Sequence, residues 1–372
     1  MRIGIDSRLY YQTGVGRYIR NLILELSKIP SGNEYYIYLR KKEFEEFVPP
    51  SSQFVKRLVD LPWHGVKEQI VIPSVLKKDK VTVAHFPYFN VPIFYRGRYL
   101  LTIHDLILDH FNTGRASTLA YPLYRLKRFG YQVSLSQGIR NASFITTISE
   151  TTKKEVMDHY GVNPSKIEVT YDALDEHFKS LVSSQKNVKP IFSMPYILYV
   201  GNAYPHKNLE KLLEAFKLLI KNKKIKLVLA GDDSFFYPRL SHFAQKLSLQ
   251  DSVIFYGLAN DSQLLSLYKY AKLLVFPSLM EGFGLPTFEA LSCGVLPVVS
   301  DIPVFREIWK GDLLYFDPSK KESMAQVLKN ALSLKDEEYK KRVIQAKKNI
   351  DRFSFKKTAH QTLKIYQQIA GS

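Results

Sequence analysis

Short apolar runs rich in β-branched and aromatic residues alternate along the chain with longer segments of helical periodicity. The helical pattern is strongest in NLEKLLEAFKLLIKN, whose apolar residues recur every three or four positions and would share one helix face. Strands that alternate with helices form parallel sheets covered by helices, so the pattern predicts an α/β protein. The predicted strands are RIGID, YYIYL, VTVAHF, RYLLTIH, SFITTIS, KIEVTY, YILYVG, KLVLAG, VIFYG, KLLVFP and VLPVVS.

A polar stretch at residues 183–195, SSQKNVKPIFSMP, separates the two series of strands and contains two prolines but no sustained period. We place the domain boundary there, with one domain at residues 1–185 and a second beginning at residue 195. A chain of 372 residues suits two such domains. We expect two doubly wound sheets that face each other across a cleft and bind ligands beyond the carboxyl ends of their strands.

The composition is that of a folded protein, with 45% hydrophobic and 24% charged residues. No apolar stretch approaches the ~18 residues that span a bilayer, and Asp6 and Arg8 interrupt the apolar start of the chain. We therefore expect neither a signal peptide nor a membrane span. The single cysteine, Cys293, allows no internal disulfide and no thiolate metal cluster, which fits a reducing cytoplasm.

The formal net charge of +18 is spread over both halves of the chain. Residues 1–180 carry 25 Lys and Arg against 18 Asp and Glu, and the remainder carries 28 against 17. Such a surplus favours polyanionic partners without choosing among nucleic acid, anionic membrane and phosphorylated ligands. A soluble lysine-rich surface explains it equally well, and no nucleic-acid-binding module is recognisable.

The segment MEGFGLPTFEALSCG carries two carboxylates, Glu281 and Glu289, around a glycine-rich turn. Pro286 suits the first turn of a helix and Gly294 its end. The unpaired N–H groups at that helix start and in the turn at residues 282–285 would form an anion site. Carboxylates beside it would accept hydrogen bonds from sugar hydroxyls. The alternatives are a helix-dipole partner for Glu289 and a solvated loop charge for Glu281.

EGFGLPTFE followed by ALSCGVLPVVSD resembles the E-x7-E signature of the retaining glycosyltransferases of family 4, which have the GT-B fold. The resemblance covers nearly the whole chain. It implies two Rossmann-like domains, the second at residues 195–355, and a last helix at 356–372 that packs back on the N-terminal domain. The other similar segments are IGIDSRLYYQTGVGRYIRNL, AHFPYFNVP, TIHDLI, LYVGNAYPHKNLEKLLEAF and FSFKKTAHQTLKIYQ.

The resemblance implies roles for the C-terminal residues. Glu289 would bind the ribose of a nucleotide sugar and Glu281 the hydroxyls of its sugar, while Lys207 would bind the diphosphate and stabilise the charge of the leaving nucleotide. Asn202 occupies the place where the family usually has an arginine, so part of the cationic clamp is missing or is supplied by Arg17, His206 or Arg8. The backbone that would hold the sugar and diphosphate is that of Gly282, Phe283, Gly284 and Leu285.

In the N-terminal half, TGVGRY opens a predicted helix, and N–H groups around Gly14 and Gly16 could reach the diphosphate from the opposite wall. A helix start that needs a close turn explains these glycines as well. His104 ends a strand, and the resemblance implies that it contacts the donor sugar near its reacting carbon. Asp105 would orient His104 or meet the acceptor, and Arg17 is another candidate on the acceptor side. Our catalytic candidates are thus His104, Glu281 and Lys207.

No cluster has metal-ligand spacing, and the adjacent pair Asp232 and Asp233 is read as a turn cap. We therefore expect no metal and no cofactor. Residues 115–140 contain five basic residues and no acidic one, with tyrosines and leucines between them. This segment would form a basic amphipathic helix that lies at an anionic membrane and presents a lipid-linked acceptor, or else an ordinary cleft wall.

The leading hypothesis is a retaining transferase that moves a sugar from a nucleotide sugar to a hydroxyl of a glycan or lipid-linked acceptor. Similarity of TGVGRYI and HFPYFNVP to bacterial O-antigen and polysaccharide mannosyltransferases favours GDP-mannose, and a UDP-sugar stays open. The alternatives are a sugar-nucleotide epimerase of the same fold, a phosphorylase, for which no pyridoxal-phosphate motif is recognisable, and a non-enzymatic polyanion or nucleic-acid binder. We expect no nucleic-acid partner.

Overall fold

The computed structural model describes residues 1–62, 65–111, 121–184, 188–220 and 224–371, with the backbone alone at residues 13, 121–124, 126 and 127. The chain divides into two compact units. The first comprises Met1–Leu106, Leu119–Asp172 and Ser354–Ser372. The second comprises Ile107–Thr118 and Ala173–Phe353. Each unit is built on one parallel sheet, as the sequence pattern predicts.

The first unit contains a seven-stranded parallel sheet in the order β3-β2-β1-β4-β5-β6-β7. The strand order reverses direction between β1 and β4, so the loops that leave these two strands diverge and open a crevice at their carboxyl ends. The strands are β1 (Arg2–Asp6), β2 (Glu34–Leu39), β3 (Phe54–Leu58), β4 (Val83–Phe86), β5 (Tyr99–Ile103), β6 (Phe144–Thr147) and β7 (Ile167–Val169).

The second unit repeats this topology with six parallel strands in the order β10-β9-β8-β11-β12-β13. Its order reverses between β8 and β11, which is therefore the topological switch point where open sheets bind ligands. The strands are β8 (Tyr196–Val200), β9 (Lys226–Ala230), β10 (Val253–Gly257), β11 (Leu273–Phe276), β12 (Pro297–Ser300) and β13 (Leu314–Phe316).

Helices connect the strands and bury their apolar faces on the sheets. The periodic segment at 208–222 forms a helix from residue 209, and Leu212, Leu213 and Phe216 on its inner face are fully buried. The helices are α1 (Thr13–Ser27), α2 (Lys41–Glu46), α3 (Glu68–Lys78), α4 (Ile107–His110), α5 (Tyr121–Asn141), α6 (Glu150–Tyr160), α7 (Glu176–Ser184), α8 (Leu209–Ile220), α9 (Phe236–Lys246), α10 (Asp261–Tyr270), α11 (Leu285–Ser292), α12 (Pro303–Trp309), α13 (Lys321–Ala331), α14 (Asp336–Lys347) and α15 (Phe355–Gly371).

The last helix, α15, belongs to the first unit and packs against α1, β4 and β5. Its Tyr366 is fully buried, and the phenol oxygen lies 2.6 Å from Nδ1 of His85. Thr358 on the same helix donates to the carbonyl of Tyr171 over 2.6 Å. The C-terminal helix therefore closes the first unit rather than the second, which confirms the expected return of the chain.

The division between the units falls at Asp172 and Ala173, earlier than the stretch at 183–195 that the composition indicates. The physical reason is α7, which packs against α10 and α11 of the second unit. Its Phe178 is buried, with its ring centroid 6.0 Å from that of Tyr268. The polar stretch thus lies within the second unit and follows this docked helix.

Candidate active site

Two loops leave the switch point of the second unit and carry most of the predicted C-terminal residues. The loop after β8 runs from Gly201 to Asn208, and the loop after β11 runs from residue 277 to the start of α11. They are joined directly, since the amide of Leu279 donates to the carbonyl of His206 over 2.8 Å. The side-chain amide of Asn208, which adopts a left-handed conformation, donates to the carbonyl of Pro277 over 3.1 Å.

The second loop ends in the predicted glycine-rich turn. Gly284 precedes α11 with φ +89°, and a Cβ at this position would lie 2.5 Å from the ring of Phe305, so both conformation and space demand glycine. Pro286 occupies the first turn of the helix, as expected. Pro286 has no N–H and the amide of Thr287 donates to the carbonyl of Gly284 over 3.0 Å, which leaves the amide of Leu285 at the start of α11, after a turn formed by Gly282 and Phe283. This end of the sheet is suited to an anion.

Lys207 and Glu281 form an ion pair at this site. The ammonium of Lys207 donates to Oε1 of Glu281 over 2.6 Å, and the two side chains are 13% and 9% exposed. The ammonium also lies 5.4 Å from the ring centroid of Phe276, at the end of β11. An ammonium has three N–H donors, so the pair leaves donors on Lys207 for a bound anion.

Glu289 lies on α11, about one turn beyond the glycine-rich turn, but its side chain is only 2% exposed. Its Oε2 accepts a hydrogen bond of 2.7 Å from the hydroxyl of Tyr268 on α10. The carboxylate is therefore fixed by a protein hydroxyl from a neighbouring helix. Sequence reasoning missed Tyr268, because nothing in a helical tyrosine 21 residues away indicates this contact.

Asn202 stands where the resemblance implies an arginine, and it does not replace the missing charge. Its carbonyl accepts from the Tyr199 hydroxyl over 2.6 Å, and its Oδ1 accepts from the amide of Tyr204 over 3.4 Å. His206, in the same loop, is buried, and burial, assisted by the Lys207 charge, lowers its pKa to about 4. Because His206 is then neutral at pH 7, it adds no positive charge to the clamp.

Asp233 caps a helix, as the sequence indicates. Its Oδ1 accepts from the amides of Phe235, at 3.1 Å, and Tyr237, at 3.2 Å, at the start of α9. Its Oδ2 accepts from the amide of Ala203 over 3.2 Å, which ties the loop after β9 to the loop after β8. Within the described ranges, no group of three or more His, Cys, Asp or Glu residues is arranged to hold a metal ion.

In the first unit, His104 directly follows β5 and is 7% exposed. Its Nε2 lies 2.9 Å from the carbonyl of Pro87, which can only accept, so this nitrogen carries the hydrogen. Burial lowers the pKa of His104 to about 4, and the ring is therefore neutral with Nδ1 as an acceptor. The ring of Tyr18 packs edge-on with a centroid distance of 5.0 Å.

The predicted helix start at TGVGRY is confirmed, since α1 begins at Thr13. Gly16 is required for packing because a Cβ there would lie 2.6 Å from the carbonyl oxygen of Tyr10, whereas Gly14 has open space around it. Arg17, on α1, and Asp105, after β5, are both half-buried. The charge of Asp105 contributes to the raised pKa of Glu155, behind the larger effect of burial.

Arg8 was the third candidate for the missing charge, and the structure assigns it another place. Its side chain is 2% exposed and binds Asp6 at 2.7 Å and Glu68 at 2.9 Å. Asn90 also donates to Glu68, over 2.8 Å. Two carboxylates thus neutralise Arg8 inside the first unit, which makes it a poor partner for a diphosphate.

Comparison with known proteins identifies the chain. The profile described as “Glycosyltransferase Family 4” matches residues 12–178, and that described as “Glycosyl transferases group 1” matches residues 183–350. The chain belongs to glycosyltransferase family 4. It is thus a glycosyltransferase, and the two profiles match its N-terminal and C-terminal parts in turn.

Relatives and solved structures agree with this family. The O-antigen chain mannosyltransferase RfbU of Salmonella typhimurium is 26% identical over 75% of this chain and 73% of its own length. The O-antigen chain mannosyltransferase B of Escherichia coli is 28% identical over 78% of this chain and 76% of its own. The sucrose-phosphate synthase of Thermosynechococcus elongatus, at 18% identity, superposes over all of both chains with a TM-score of 0.78. The family 4 enzyme thus has the predicted GT-B fold.

The predicted basic helix at residues 115–140 is only partly visible in this glycosyltransferase. Residues 115–120 and the side chain of Lys127 lie outside the described residues, and α5 begins at Tyr121. Arg125 and Arg140 are exposed, and Phe129 is 65% exposed. In the part of the chain that the structure describes, no helix is both long enough and apolar enough to cross a bilayer.

Proposed function

We propose that this glycosyltransferase transfers mannose from GDP-mannose to a hydroxyl of a glycan or lipid-linked acceptor, with retention of the anomeric configuration. Two relatives that align with about three quarters of the chain are named as O-antigen mannosyltransferases, which supports mannose as the sugar. The observation that carries the proposal is the Lys207–Glu281 pair beside the glycine-rich turn and the start of α11, at the switch point of a Rossmann-like sheet.

The proposed step breaks the bond between the sugar's anomeric carbon and the β-phosphate oxygen, and the bonding pair leaves with GDP. The acceptor oxygen forms a new bond to that carbon on the same face, and its proton passes to a phosphate oxygen of the departing GDP. No protein nucleophile takes part. The task of the chain is to orient both substrates and to stabilise the negative charge that grows on the phosphate.

In the second unit, the Lys207 ammonium would donate to the diphosphate while it keeps Glu281 as a partner. Glu281, held by Lys207, would accept hydrogen bonds from hydroxyls of the donor sugar. The N–H groups of residues 282–285 would bind the sugar and diphosphate, and Glu289 would accept from the ribose hydroxyls. This assignment agrees with the ordered loops, because the direct hydrogen bonds between them fix Lys207 and Glu281 in place before the donor binds.

In the first unit, we propose that His104 contacts the donor sugar through its unprotonated Nδ1, which is left as an acceptor by the hydrogen bond from Nε2 to Pro87. Gly14 and Gly16 would give the start of α1 its access to a phosphate. Asp105 and Arg17, which are half-buried, would serve the acceptor. Each of these roles follows from the family resemblance.

We further propose that the reaction needs no metal and no cofactor. The support is that Lys207 and the helix start supply positive charge, while Asp233 is already engaged in capping α9. Turnover should be the same with EDTA and with added Mg²⁺ or Mn²⁺. A strict requirement for either ion would overturn this part of the proposal and return Asp232 and Asp233 to consideration as ligands.

A screen of nucleotide sugars tests the donor. A ligand present at 100 times its dissociation constant should stabilise the folded protein by about 2.7 kcal/mol, so thermal unfolding distinguishes GDP-mannose from GDP-fucose, UDP-glucose and UDP-galactose. Glu281→Gln is the matched variant for the wild-type enzyme in this screen, because it keeps the shape of the Glu281 side chain and removes its charge. If a UDP-sugar stabilises the enzyme and GDP-mannose does not, the donor assignment is wrong while the transferase assignment stands.

For a lipid-linked acceptor, we propose that the first unit docks on anionic lipid through α5 and the loop beside it. Arg125 and Arg140 give α5 exposed positive charge, and Phe129 is an exposed apolar anchor. The loop beside α5 contains Phe89 and Phe94. The ring of Phe89 packs against that of Tyr131 of α5 at a centroid distance of 4.8 Å, and Phe94 is also 65% exposed. Exposed aromatic and basic side chains on one helix are suited to the surface of an anionic bilayer.

Sedimentation with vesicles of phosphatidylglycerol tests this docking surface. The variant Arg125→Ser/Phe129→Ser/Arg140→Ser should bind less, and added salt should weaken wild-type binding because screening acts over ~8–10 Å. Lys154→Ser/Lys166→Ser/Val48→Ser removes the same kinds of exposed side chain elsewhere in the first unit and should bind like the wild type. If the wild type ignores the vesicles at low salt, or if both variants lose binding equally, the surface is not a docking site.

A further inference from the structure

A cavity lies in the second unit at the amino ends of the strands, which is the opposite end of the sheet from the donor site. Its volume is about 620 Å³, which is within the range of small-molecule pockets. Its lining includes Pro195, Ile225 and Lys272, directly before β8, β9 and β11, and Val295, two residues before β12. Lys207 and Glu281 follow the carboxyl ends of β8 and β11, so roughly 13–17 Å of strand separates the two sites.

Three lysines from separate segments line this cavity. Lys224 precedes β9, Lys269 lies in the last turn of α10 and Lys272 precedes β11. Asp336 is the acidic residue of the described lining, and it lies in the first turn of α14, where its charge offsets the helix dipole. No carboxylate of the described residues lies within ion-pairing distance of Lys224 or Lys272. The cavity is therefore electropositive.

Between the lysines, the walls are apolar and firmly held. Ile225 and Val295 are buried, and Leu332 and Leu334 follow α13. On one side stands Tyr339, whose hydroxyl donates to the carbonyl of Lys272 over 3.0 Å and accepts from the amide of Leu296 over 2.9 Å. These two bonds join α14 to the starts of β11 and β12. Regular secondary structure therefore fixes this side of the cavity.

We propose that this cavity is a second ligand site that binds a phosphate monoester with a compact apolar group. Flexible lysine stems from three segments can bring their point charges to one compact dianion, and lysine binds phosphate in this way. The apolar wall suits the esterified group, since burying it removes apolar area from water. The proposal is independent of the donor and acceptor assignments, because the residues of the cavity lie at the amino ends of the strands.

Isothermal titration with phenyl phosphate tests the proposal. We expect one site per chain, with weaker binding of phenol and of inorganic phosphate, since each lacks half of the recognised chemistry. Lys224→Ser/Lys269→Ser/Lys272→Ser should weaken binding at least about tenfold, which corresponds to ~1.4 kcal/mol. Lys217→Ser/Lys246→Ser/Lys341→Ser removes the same charge from exposed positions of the same unit outside the cavity, and should bind like the wild type.

Lys207→Met distinguishes binding in the cavity from binding at the donor site, and it should leave phenyl phosphate binding unchanged. A second measurement needs no variant: phenyl phosphate should protect Lys224, Lys269 and Lys272 of the wild type from acetylation, as read by peptide mass spectrometry. The proposal is overturned if the wild type does not bind phenyl phosphate, if the two triple variants weaken binding equally, if Lys207→Met abolishes it, or if the three cavity lysines are acetylated at unchanged rates.

Discussion

In each unit, a cation in the loop after a strand at the switch point is paired with carboxylate groups. Arg8 follows β1 and Lys207 follows β8, the two strands at which the sheets reverse their order. Arg8 is 2% exposed and shared between Asp6 and Glu68. Lys207 is 13% exposed and has Glu281 as its carboxylate partner. The same topology thus presents a doubly neutralised cation in one unit and a singly neutralised one in the other.

The pKa shifts express the balance in the first unit. Burial opposes the charge of Arg8, but Asp6 and Glu68 outweigh it and raise its pKa. Burial raises the pKa of Glu68 more than Arg8 lowers it, although the two are partners. The difference arises because one guanidinium serves two carboxylates, and the second oxygen of Glu68 has no partner among the described residues. Glu68 is thus incompletely compensated.

Arg8 has the contacts of a structural group, whereas Lys207 is suited to catalysis. Arg8 is 2% exposed, and its bonds link the loop after β1 to α3. Lys207 keeps donors for a ligand, and its partner lies next to the glycine-rich turn. Variants of Arg8 should therefore change stability, and variants of Lys207 should change turnover.

The largest effect is expected for Arg8→Met, which leaves buried Glu68 without its cation. Breaking a buried pair in this way costs about 3–5 kcal/mol of unfolding free energy, measured by urea denaturation. The turnover of the molecules that stay folded should fall much less than it does in the Lys207 variants. The double variant Arg8→Met/Glu68→Gln should recover much of the stability. Full stability of the single variant, with lost turnover, would reverse the comparison.

Lys207→Met should lower kcat about 100- to 1000-fold, the usual loss when one preorganised donor to a developing negative charge is removed. The loss should fall on kcat more than on KM, because the phosphate charge is greater in the transition state. Steady-state kinetics measure both constants. Lys207→Met/Glu281→Gln should also leave turnover low, and Lys211→Met, which breaks a half-buried pair with Glu214 outside the site, should have little effect. Unchanged turnover would place the clamp elsewhere.

Glu289→Ala should weaken binding of GDP by about 1.5–3 kcal/mol, since the ribose loses a charged acceptor. Calorimetric titration below the unfolding temperature measures this change. The buried Glu289 also holds Tyr268, so Tyr268→Phe is the control that removes the protein contact and keeps the carboxylate. If both variants weaken GDP equally, or if neither does, Glu289 is a structural group and not a ribose ligand.

Acid should lower the unfolding free energy of the first unit, because its buried histidines are neutral when folded. Burial lowers the pKa of His85 to about 3, with a smaller effect of His104, whose own pKa is about 4. The unfolded chain takes up these protons near pH 6.5 and the folded chain does not, so stability is present above pH 6.5 and falls as the pH drops toward 4. About 2 kcal/mol per histidine should be lost at pH 5.

Urea denaturation at pH 7.5 and pH 5 measures this loss. His85→Gln should reduce the difference between the two pH values, whereas His360→Gln, at an exposed position of α15, should not change it. An identical pH dependence of the His85 variant and the wild type would show that other groups cause the acid sensitivity.

The local features of the site could be predicted from the sequence, and the contacts between distant segments could not. The turn at Gly284 and the helix after it are encoded by neighbouring residues, so the pattern predicts them. The Lys207–Glu281 pair joins residues 74 positions apart, and the Arg8–Glu68 pair joins residues 60 apart. Only the strand order brings such residues together. The family resemblance could indicate Lys207 and Glu281 as site residues, but not that they pair.

The strands that the pattern missed have a similar explanation. β3, with sequence FVKRL, lies at the sheet edge and carries Lys56 and Arg57, whose charges mask the apolar alternation. Lys56 donates to the carbonyls of Phe44 and Phe47, and Arg57 pairs with Asp79 at 3.1 Å. β13 has three residues at the edge of the other sheet, too few for a period. Edge strands are short and charged because this limits pairing with other chains.

The smallest effect is expected for Asn202→Arg, which adds a second cation to the site of the second unit. Among the described residues, the side chain of Asn202 makes one hydrogen bond, of 3.4 Å, so its replacement should cost little stability. An arginine there should strengthen GDP binding by about 0.5–1 kcal/mol, roughly two- to fivefold, as an exposed charge pair does. The gain should shrink with added salt. Asn202→Gln is the neutral control, and its affinity should match the wild type. Weaker binding by both variants would mean that the Asn202 amide itself contacts the donor, and the clamp of this family 4 enzyme would then be complete without a second cation.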